Sequence, residues 1–386
     1  MAVLGVMASH LFPGTTTSDG FLLPGIGALL TFGATGVDLF FVLSGFLITG
    51  ILFDSLSDSG FFRKFYARRS LRIFPLYYGV LFTLFVLTPW LGIQWHGMNW
   101  KLMFYLQNTA IAGPFDQIQS PHGITLAHFW SLAVEEQFYL VWPLVVYFVR
   151  GIKRLLWICL ALSCAALTLR FFLAFHHTNY AIINCNTLCR ADSLLIGAAL
   201  ALLLRSRLQD AVLRSARKLL LFTVAVMVSL SLAQPLIERH SEWFFTFSCG
   251  FLSVRYTLMA LGSAALIAWC LWPSSVPRKV FETRILRFFG KYSYGLYVFH
   301  VIALGFLLKT FRGWIALVTP SKVEGVVGAG LLSFLVALVV AYASYNLYEK
   351  QFLRLKRYFD YARPELVEAL QFKACASSAE REISAG

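Results

Sequence analysis

The chain has 386 residues, of which 58% are hydrophobic and 16% aromatic, and this composition excludes an ordinary soluble domain. Its formal net charge is +14, from 33 Lys and Arg residues against 19 Asp and Glu residues. The basic residues lie between long apolar runs, so we expect them to meet membrane lipid, and we expect no nucleic-acid partner. The sequence therefore predicts an all-α polytopic membrane protein.

Apolar runs recur along the chain at about the 17–25 residues that span a bilayer. Basic residues crowd every second connection between them, whereas the connection 13–32 holds none. The positive-inside rule then places both termini in the cytoplasm, and a bacterial inner membrane or a plasma membrane is the expected location. The first run is shorter than a full span, so we expect its helix to be truncated. The ten predicted spans are 1–12, 33–53, 74–92, 129–149, 155–175, 189–204, 219–234, 250–272, 292–310 and 325–347.

The sequence divides into a membrane domain over residues 1–350 and a basic cytoplasmic surface helix with a disordered tail over residues 351–386. The seven cysteines follow no metal-ligand spacing, and no metal is expected. Cys185 and Cys189 fall in a predicted outer connection, where a disulfide and two separate thiols both stay open.

The most informative side chains are the polar ones inside predicted spans, because a charged group in lipid is costly unless it has a role. Most of them lie near the outer end of their span, and His300 lies near the middle of its span. This shared depth predicts a polar chamber that opens outward, in which Glu135 or Asp38 orients His10 and His10 takes a proton from a hydroxyl group. The side chains are His10, Asp38, Ser131, Glu135, Arg190, Asp192 and His300.

A purely structural role for these groups stays open. Arg190 can pair with Asp192 or with Glu135, and His300 can be a hydrogen-bonded core histidine. Adjacent helix residues point about 100° apart, so Glu136 is expected to pack rather than to face the chamber beside Glu135. The tyrosines of the ninth span are expected to be packing or interface residues: Tyr292, Tyr294 and Tyr297.

A second cluster, "FYARRSLRIFPLYY", places Arg68, Arg69 and Arg72 at the predicted cytoplasmic end of the third span. On a helix, Arg69 and Arg72 are three residues apart and share a face. Such a pair suits a phosphorylated ligand that is bound at two points. The alternative is an ordinary basic connection whose arginines bind lipid phosphate.

Six blocks occur in order along the chain: "MAVLGVMASH", "GVDLFFVLSGFLI", "FYARRSLRIFPLYY", "FWSLAVEEQFYLVWP", "RADSLLIGA" and "GKYSYGLYVFH". Together they resemble acyltransferase family 3, integral-membrane enzymes that O-acylate sugars and glycoconjugates. The resemblance implies that His10 is the catalytic base and that Arg69 and Arg72 bind acyl-CoA on the cytoplasmic side. It also implies that Glu135, rather than Glu136, is the functional glutamate. The family's arginine before the histidine would fall upstream of Met1, which agrees with a truncated first span.

The resemblance implies that an acyl group, acetyl by default, moves from cytoplasmic acyl-CoA to a hydroxyl of a sugar or glycoconjugate at the outer face. Acyl-CoA is then a substrate, and no bound cofactor is expected. Direct transfer and a covalent relay through Ser131 both stay open. Two other functions also stay open: a transporter or flippase for a lipid-linked sugar, and a component that passes acyl groups to a separate periplasmic transferase.

Overall fold

The computed structural model describes residues 2–11, 33, 35–109, 118–237, 241–310 and 322–360. Over these residues the chain is all-α, which confirms the predicted fold class. A single isolated bridge between Gln94 and Gln119 is the β-type pairing found in the described chain. The helices are α1 Ala2–Leu11, α2 Gly36–Asp54, α3 Phe61–Val86, α4 Thr88–Leu91, α5 Met98–Met103, α6 Trp130–Val149, α7 Ile152–Phe175, α8 Tyr180–Cys185, α9 Thr187–Leu203, α10 Gln209–Ile237, α11 Ser241–Cys270, α12 Val276–Phe281, α13 Arg284–Thr310, α14 Lys322–Ser344 and α15 Lys350–Arg354.

Three short helical turns complete the list of elements. A 3-10 turn over Ala127–Phe129 leads into α6, a π-helical turn over Tyr345–Glu349 follows α14, and a 3-10 turn over Leu355–Phe359 follows α15. The helix α15 and the 3-10 turn after it lie at the start of the segment 351–386, which was predicted as a surface helix. The predicted disordered tail lies outside the described residues from position 361 onward.

Every predicted span falls on a helix, and seven of the described helical segments are long and apolar enough to cross a membrane. The protein is therefore a multi-pass membrane protein. The described residues of the predicted span 1–12 lie in α1, the span 74–92 covers the second half of α3 and the short α4, and the span 219–234 lies in α10. None of these helices is among the seven. For α3 the reason is visible in its sequence, because its first half carries the arginine cluster.

The chain forms two compact units. The first unit consists of Met1–Val37, Phe65–Ala133 and Arg284–Phe359. Of the described residues, the second unit contains those within Asp38–Lys64 and Val134–Thr283, together with Asp360.

The core of the first unit is formed by α1 packing against α13 and α14. The packing is close because Gly295 on α13 faces Ala341 on α14, and a Cβ atom at Gly295 would lie 3.0 Å from the Cβ of Ala341. Small residues at a helix crossing let the backbones approach, which is how helices pack where no water drives them together. The buried residues of this core are Val3, Met7, Leu11, Tyr292, Leu296, Leu304, Ala337 and Ala341.

The second unit is built around α9, which packs against α7, α11 and α2. Two glycines make the crossing of α2 and α9 possible. A Cβ atom at Gly45 would lie 1.9 Å from the carbonyl oxygen of Leu194, and one at Gly197 would lie 2.0 Å from that of Val42. These distances leave no space for a side chain, so the two helices touch through their backbones.

Local sequence explains how α8 and α9 begin. The side-chain oxygens of Asn179 and Asn186 accept hydrogen bonds from the amides of Ala181 and Leu188, both at 2.9 Å, so each asparagine caps the helix that follows it. Cys185 and Cys189 lie on either side of the second cap and are separate buried thiols, not a disulfide.

The close crossing of α2 and α9 predicts that a methyl group added at one of its glycines destabilises the protein, whereas a methyl group added at an open helical position does not. Gly45→Ala places its Cβ against a backbone carbonyl and is expected to destabilise the protein by about 1–3 kcal/mol or more. Gly290→Ala is the matched control, since no atom lies within 4 Å of a Cβ at that helical position. Thermal unfolding in detergent measures both variants, and equal midpoints would contradict the close crossing.

Candidate active site

His10 and His300 form a stacked pair of imidazole rings within the first unit. His10 lies in the last turn of α1, and His300 lies beyond the middle of α13. The Nδ1 atom of His10 is 3.0 Å from Nε2 of His300, and the ring centroids are 5.3 Å apart with 12° between the ring planes. The His10 side chain is exposed, whereas that of His300 is completely buried. The structure therefore brings together two predicted site residues that are 290 positions apart in sequence.

The main chain of α13 fixes which nitrogen of His300 carries the proton. His300 Nδ1 lies 2.8 Å from the carbonyl oxygen of Tyr297 and 3.1 Å from that of Leu296. A carbonyl oxygen only accepts hydrogen bonds, so Nδ1 is protonated and Nε2 of the neutral ring is an acceptor. His10 must therefore donate its Nδ1–H to His300, and the lone pair of His10 is then on Nε2.

An imidazole in this state can take a proton at Nε2 from a nearby hydroxyl group. In serine hydrolases a buried carboxylate receives the Nδ1–H of the base and so fixes its tautomer and orientation. Here a neutral histidine receives that hydrogen bond. From the sequence we expected Glu135 or Asp38 to orient His10; among the described residues, the ring nitrogen of His10 contacts His300.

Ser131 belongs to a hydrogen-bonded chain that ends on the main chain. The Tyr297 hydroxyl donates a short hydrogen bond to the carbonyl oxygen of His128, and Ser131 Oγ lies 2.5 Å from the Tyr297 oxygen. Because the Tyr297 proton is directed to the carbonyl, Ser131 is the donor in the second contact. A serine is activated as a nucleophile by a base that takes its proton, and a phenol oxygen is not such a base. The contact favours a supporting role for Ser131, and it gives Tyr297 a polar role that the sequence analysis did not expect.

The second unit contains two buried ion pairs. Arg170 and Asp192 are 2.7 Å apart with no side-chain exposure, and Arg190 and Asp38 are also 2.7 Å apart with almost none. From the sequence, pairing of Arg190 with Asp192 or with Glu135 stayed open, and in the structure its ion pair is with Asp38 rather than with Asp192. The reason is helical geometry, because residues two apart on α9 do not face each other.

Every part of the Arg170–Asp192 pair is hydrogen-bonded. A second contact joins Arg170 Nη1 to Asp192 Oδ1 at 3.0 Å, and Arg170 also donates to the Ser253 carbonyl oxygen at 2.9 Å and to Thr257 Oγ1 at 2.6 Å. Thr257 in turn donates to Asp192 at 2.7 Å. Arg170 was not among the predicted site residues, although a lone arginine inside an apolar run is a signal in the sequence.

The Arg190–Asp38 pair has a different environment. Ser193 Oγ donates to Asp38 at 3.2 Å, and the Arg190 guanidinium lies 3.9 Å from the centroid of the Tyr256 ring. A guanidinium over an aromatic face gains a cation–π interaction that is strongest when water is excluded. Asp38, Arg190 and Asp192 therefore have clear structural partners, and a direct catalytic role for them stays a prediction.

Burial separates the two adjacent glutamates of α6. Glu135 is 3% exposed, whereas Glu136 is half-buried. Glu135 was expected to be the functional residue of the two. Its role in the reaction stays a prediction.

The arginine cluster lies on α3 in the first unit. Arg72 is exposed, and Arg68 and Arg69 are half-buried. Arg68 Nη1 lies 3.4 Å from the carbonyl oxygen of Lys356 and 3.5 Å from that of Phe359, so the 3-10 turn after α15 packs against this part of α3. Arginine side chains in such a group can hold phosphate oxygens at two points. Acyl-CoA as the ligand of this arginine cluster stays a prediction.

Comparison with known proteins identifies the family. The model of the acyltransferase domain, acyltransferase family 3, matches residues 1–346. This chain belongs to that family. The match includes α1, the arginine cluster, α6 and the whole of α13, so both parts of the candidate site lie inside the acyltransferase domain.

Two curated relatives of this acyltransferase carry more specific names. Peptidoglycan O-acetyltransferase OatA of Listeria monocytogenes is 31% identical over 317 residues, which cover 78% of this chain and 47% of the relative. Putative peptidoglycan O-acetyltransferase YrhL of Bacillus subtilis is 30% identical over 335 residues, which cover 82% and 50%. The chain therefore spans about half the length of the curated relatives it matches. No solved structure matches it.

The hydrogen-bond direction at Ser131 predicts a modest effect of Ser131→Ala. Loss of one neutral hydrogen bond costs about 0.5–1.5 kcal/mol, so we expect acyl transfer to fall by about tenfold or less. Ser9→Ala is the control, since Ser9 Oγ donates to the Val6 carbonyl oxygen within α1 of the same unit. Transfer at background level in Ser131→Ala, with normal amounts of folded protein, would instead show that Ser131 is an obligatory acyl carrier.

The buried Arg170–Asp192 pair predicts that loss of its arginine strongly lowers the stability of the protein. Arg170→Ala leaves Asp192 buried without its guanidinium and is expected to destabilise the protein by about 3–5 kcal/mol. The control is Arg278→Ala, because Arg278 pairs with Glu282 at 2.9 Å where the two side chains are 25% and 61% exposed. A surface pair of this kind is worth less than about 1 kcal/mol. Thermal unfolding compares the two, and a fully stable Arg170→Ala protein would refute the structural role.

Proposed function

We propose that this protein is an integral-membrane O-acyltransferase that moves an acyl group, acetyl by default, from cytoplasmic acyl-CoA to a hydroxyl of a sugar or glycoconjugate at the outer face. The observation that carries the proposal is the His10–His300 pair, because the tautomer of His300 leaves His10 with its lone pair on Nε2. Membership of the acyltransferase family supports the reaction class. The names of the relatives support an acetyl group and a glycan acceptor.

The proposed reaction uses His10 as the general base. His10 Nε2 takes the proton of the acceptor hydroxyl while the hydroxyl oxygen forms a bond to the carbonyl carbon of the thioester. The carbon–sulfur bond then breaks, and the departing thiolate of coenzyme A receives the proton that His10 has taken. The products are an O-acyl ester and free coenzyme A, and His10 returns to its neutral form.

The arginine cluster is the proposed site for the phosphates of the donor. Its position relative to His300 follows from contacts within the first unit. The Tyr294 hydroxyl donates to the carbonyl oxygen of Ile73, the neighbour of Arg72, at 2.8 Å. Tyr294 and His300 are six residues apart on α13, a rise of about 9 Å.

The rise of about 9 Å along α13 from Tyr294 to His300 indicates how far the acyl group has to move from the arginine cluster. It is short compared with the roughly 30 Å of hydrocarbon between the two membrane faces. A donor held at the arginines by its phosphates then needs to extend only part of the way across the bilayer. The contacts favour direct transfer within the first unit over a covalent relay.

Two other functions predict different behaviour. A transporter for a lipid-linked sugar needs neither a base with an oriented lone pair nor a site for a donor's phosphates. A component that passes the acyl group to a separate periplasmic transferase needs both, and it differs only in its acceptor. The structure of the first unit therefore favours an acyl-transfer role over transport.

The test is transfer of labelled acetyl groups in inverted membrane vesicles, whose cytoplasmic face is accessible to added acetyl-CoA. The readout is alkali-labile label in the glycan fraction. We expect His10→Ala to lower the rate by about 10²–10⁴-fold, the usual contribution of a general base. His122→Ala is the control, because His122 is a half-buried histidine of the same unit whose Nδ1 lies 3.4 Å from Thr310 Oγ1.

The orientation of the vesicles tests the donor side. Right-side-out vesicles should show no transfer from added acetyl-CoA, since the donor cannot reach the arginines. Label that moves equally well in His10→Ala would refute the base. Glycan transport across the membrane without any acyl transfer would refute the enzyme and favour the transporter.

A further inference from the structure

His128 is a buried histidine that the sequence analysis did not select. It lies in the 3-10 turn Ala127–Phe129 that leads into α6, and its side chain is 4% exposed. Its ring centroid is 5.3 Å from that of His300, with 73° between the ring planes. Three imidazole rings therefore follow one another in the first unit, those of His10, His300 and His128. In the described part of the chain no three His, Cys, Asp or Glu side chains are placed to hold a metal ion together.

His128 contacts the turn of α13 that carries His300 at two points. Its ring Nε2 lies 3.2 Å from the carbonyl oxygen of Val298, so Nε2 carries the proton and donates it to that oxygen. In the opposite direction, the carbonyl oxygen of His128 accepts the hydroxyl proton of Tyr297. One link uses the ring and the other uses the main chain, and both end within three residues of His300.

The 3-10 turn that carries His128 is itself fixed in place. Gln107 Nε2 donates to the carbonyl oxygen of Phe129 at 2.9 Å, and Phe129 is completely buried. The two hydrogen bonds from His128 therefore connect α13 to a turn that is itself anchored by a hydrogen bond and by the burial of Phe129. A shift of this turn of α13 would break both links.

The ring of His128 leaves one polar atom unsatisfied. Its Nδ1 is buried and has no hydrogen-bond partner among the described residues. A buried polar group without a partner destabilises a protein, and such a group in a native structure needs a reason. An apolar ring would fill the same space without this cost but could not donate to Val298. The Nε2–H bond is the interaction that only the histidine supplies.

We infer that His128 is a positioning residue for the base His10. Its two links fix the rotation and height of the α13 turn and so place Nε2 of His300 where the Nδ1–H of His10 meets it. His128 acts through Tyr297, Val298 and His300 and does not itself touch the reacting atoms. The inference rests on the proposed function, because it concerns the base of that reaction.

Two amide substitutions separate the hydrogen bond from the bulk of the side chain. In His128→Gln the amide nitrogen stands near the position of Nε2 and can still donate to Val298, whereas in His128→Asn the side chain is one methylene too short. We expect kcat to fall by about 10–100-fold in His128→Asn, as a misplaced catalytic group does, with KM for acetyl-CoA unchanged. His128→Gln should recover most of that loss. The control is His122→Gln, which should match the native protein.

The second link offers a test that hardly alters packing. Tyr297→Phe removes only the hydroxyl group, which donates to the His128 carbonyl oxygen and accepts from Ser131. We expect kcat to fall while KM for acetyl-CoA stays the same. Because both links act on one turn of α13, the double variant His128→Asn/Tyr297→Phe should lose less than the product of the two single losses. Thermal unfolding of each variant shows whether the protein remains folded.

The outcomes are distinct. Recovery by Gln together with a non-additive double variant supports the inference. Equal activity of the Gln and Asn variants, or a change confined to KM, overturns it while leaving the proposed function intact. A native protein that transfers no acetyl group overturns the proposed function and this inference with it.

Discussion

The carbonyl oxygens of Leu296 and Tyr297 can only accept hydrogen bonds, and the chemistry of the first unit depends on that constraint. They hold the proton of His300 on Nδ1, which makes Nε2 an acceptor and obliges His10 to donate its own Nδ1–H. The basic nitrogen of His10 is therefore selected by the main chain of a helix. No carboxylate is needed for this selection, because a helix supplies carbonyl oxygens at fixed positions.

The buried polar groups of the two units differ in their charge. In the second unit the charges are paired and buried, with Arg170 and Asp192 joined by two hydrogen bonds and Arg190 held between Asp38 and the Tyr256 ring. In the first unit the polar groups around His300 are neutral imidazole, hydroxyl and main-chain groups. A buried charge pair is costly to disrupt, because removal of one partner leaves the other charge buried without compensation. Because the groups around His300 are neutral, the imidazole of His10 can gain and lose a proton during the reaction.

Much of this arrangement was predictable from the sequence, and the failures have a common cause. Apolar run lengths located the helices, and the cost of polar groups in lipid selected His10, Ser131, Glu135 and His300. Tertiary partners could not be read in this way, because the histidines of α1 and α13 are far apart in sequence and helical periodicity says nothing about which faces meet. The ion pair of Arg190 with Asp38 is a tertiary contact of the same kind, between α9 and α2. His128 escaped notice because it precedes α6 rather than lying inside a span.

The most direct test of the account is the protonation pattern of the histidine rings, measured by solid-state NMR on protein with ¹⁵N-labelled histidine in lipid bilayers. His10→Gln and His300→Gln samples assign the two sets of signals. The account predicts that both rings are neutral with the proton on Nδ1, and that Nε2 of His10 and of His300 give signals of unprotonated nitrogen. A proton on Nε2 of His10 would contradict it, because the atom proposed to accept the substrate's proton would already carry one.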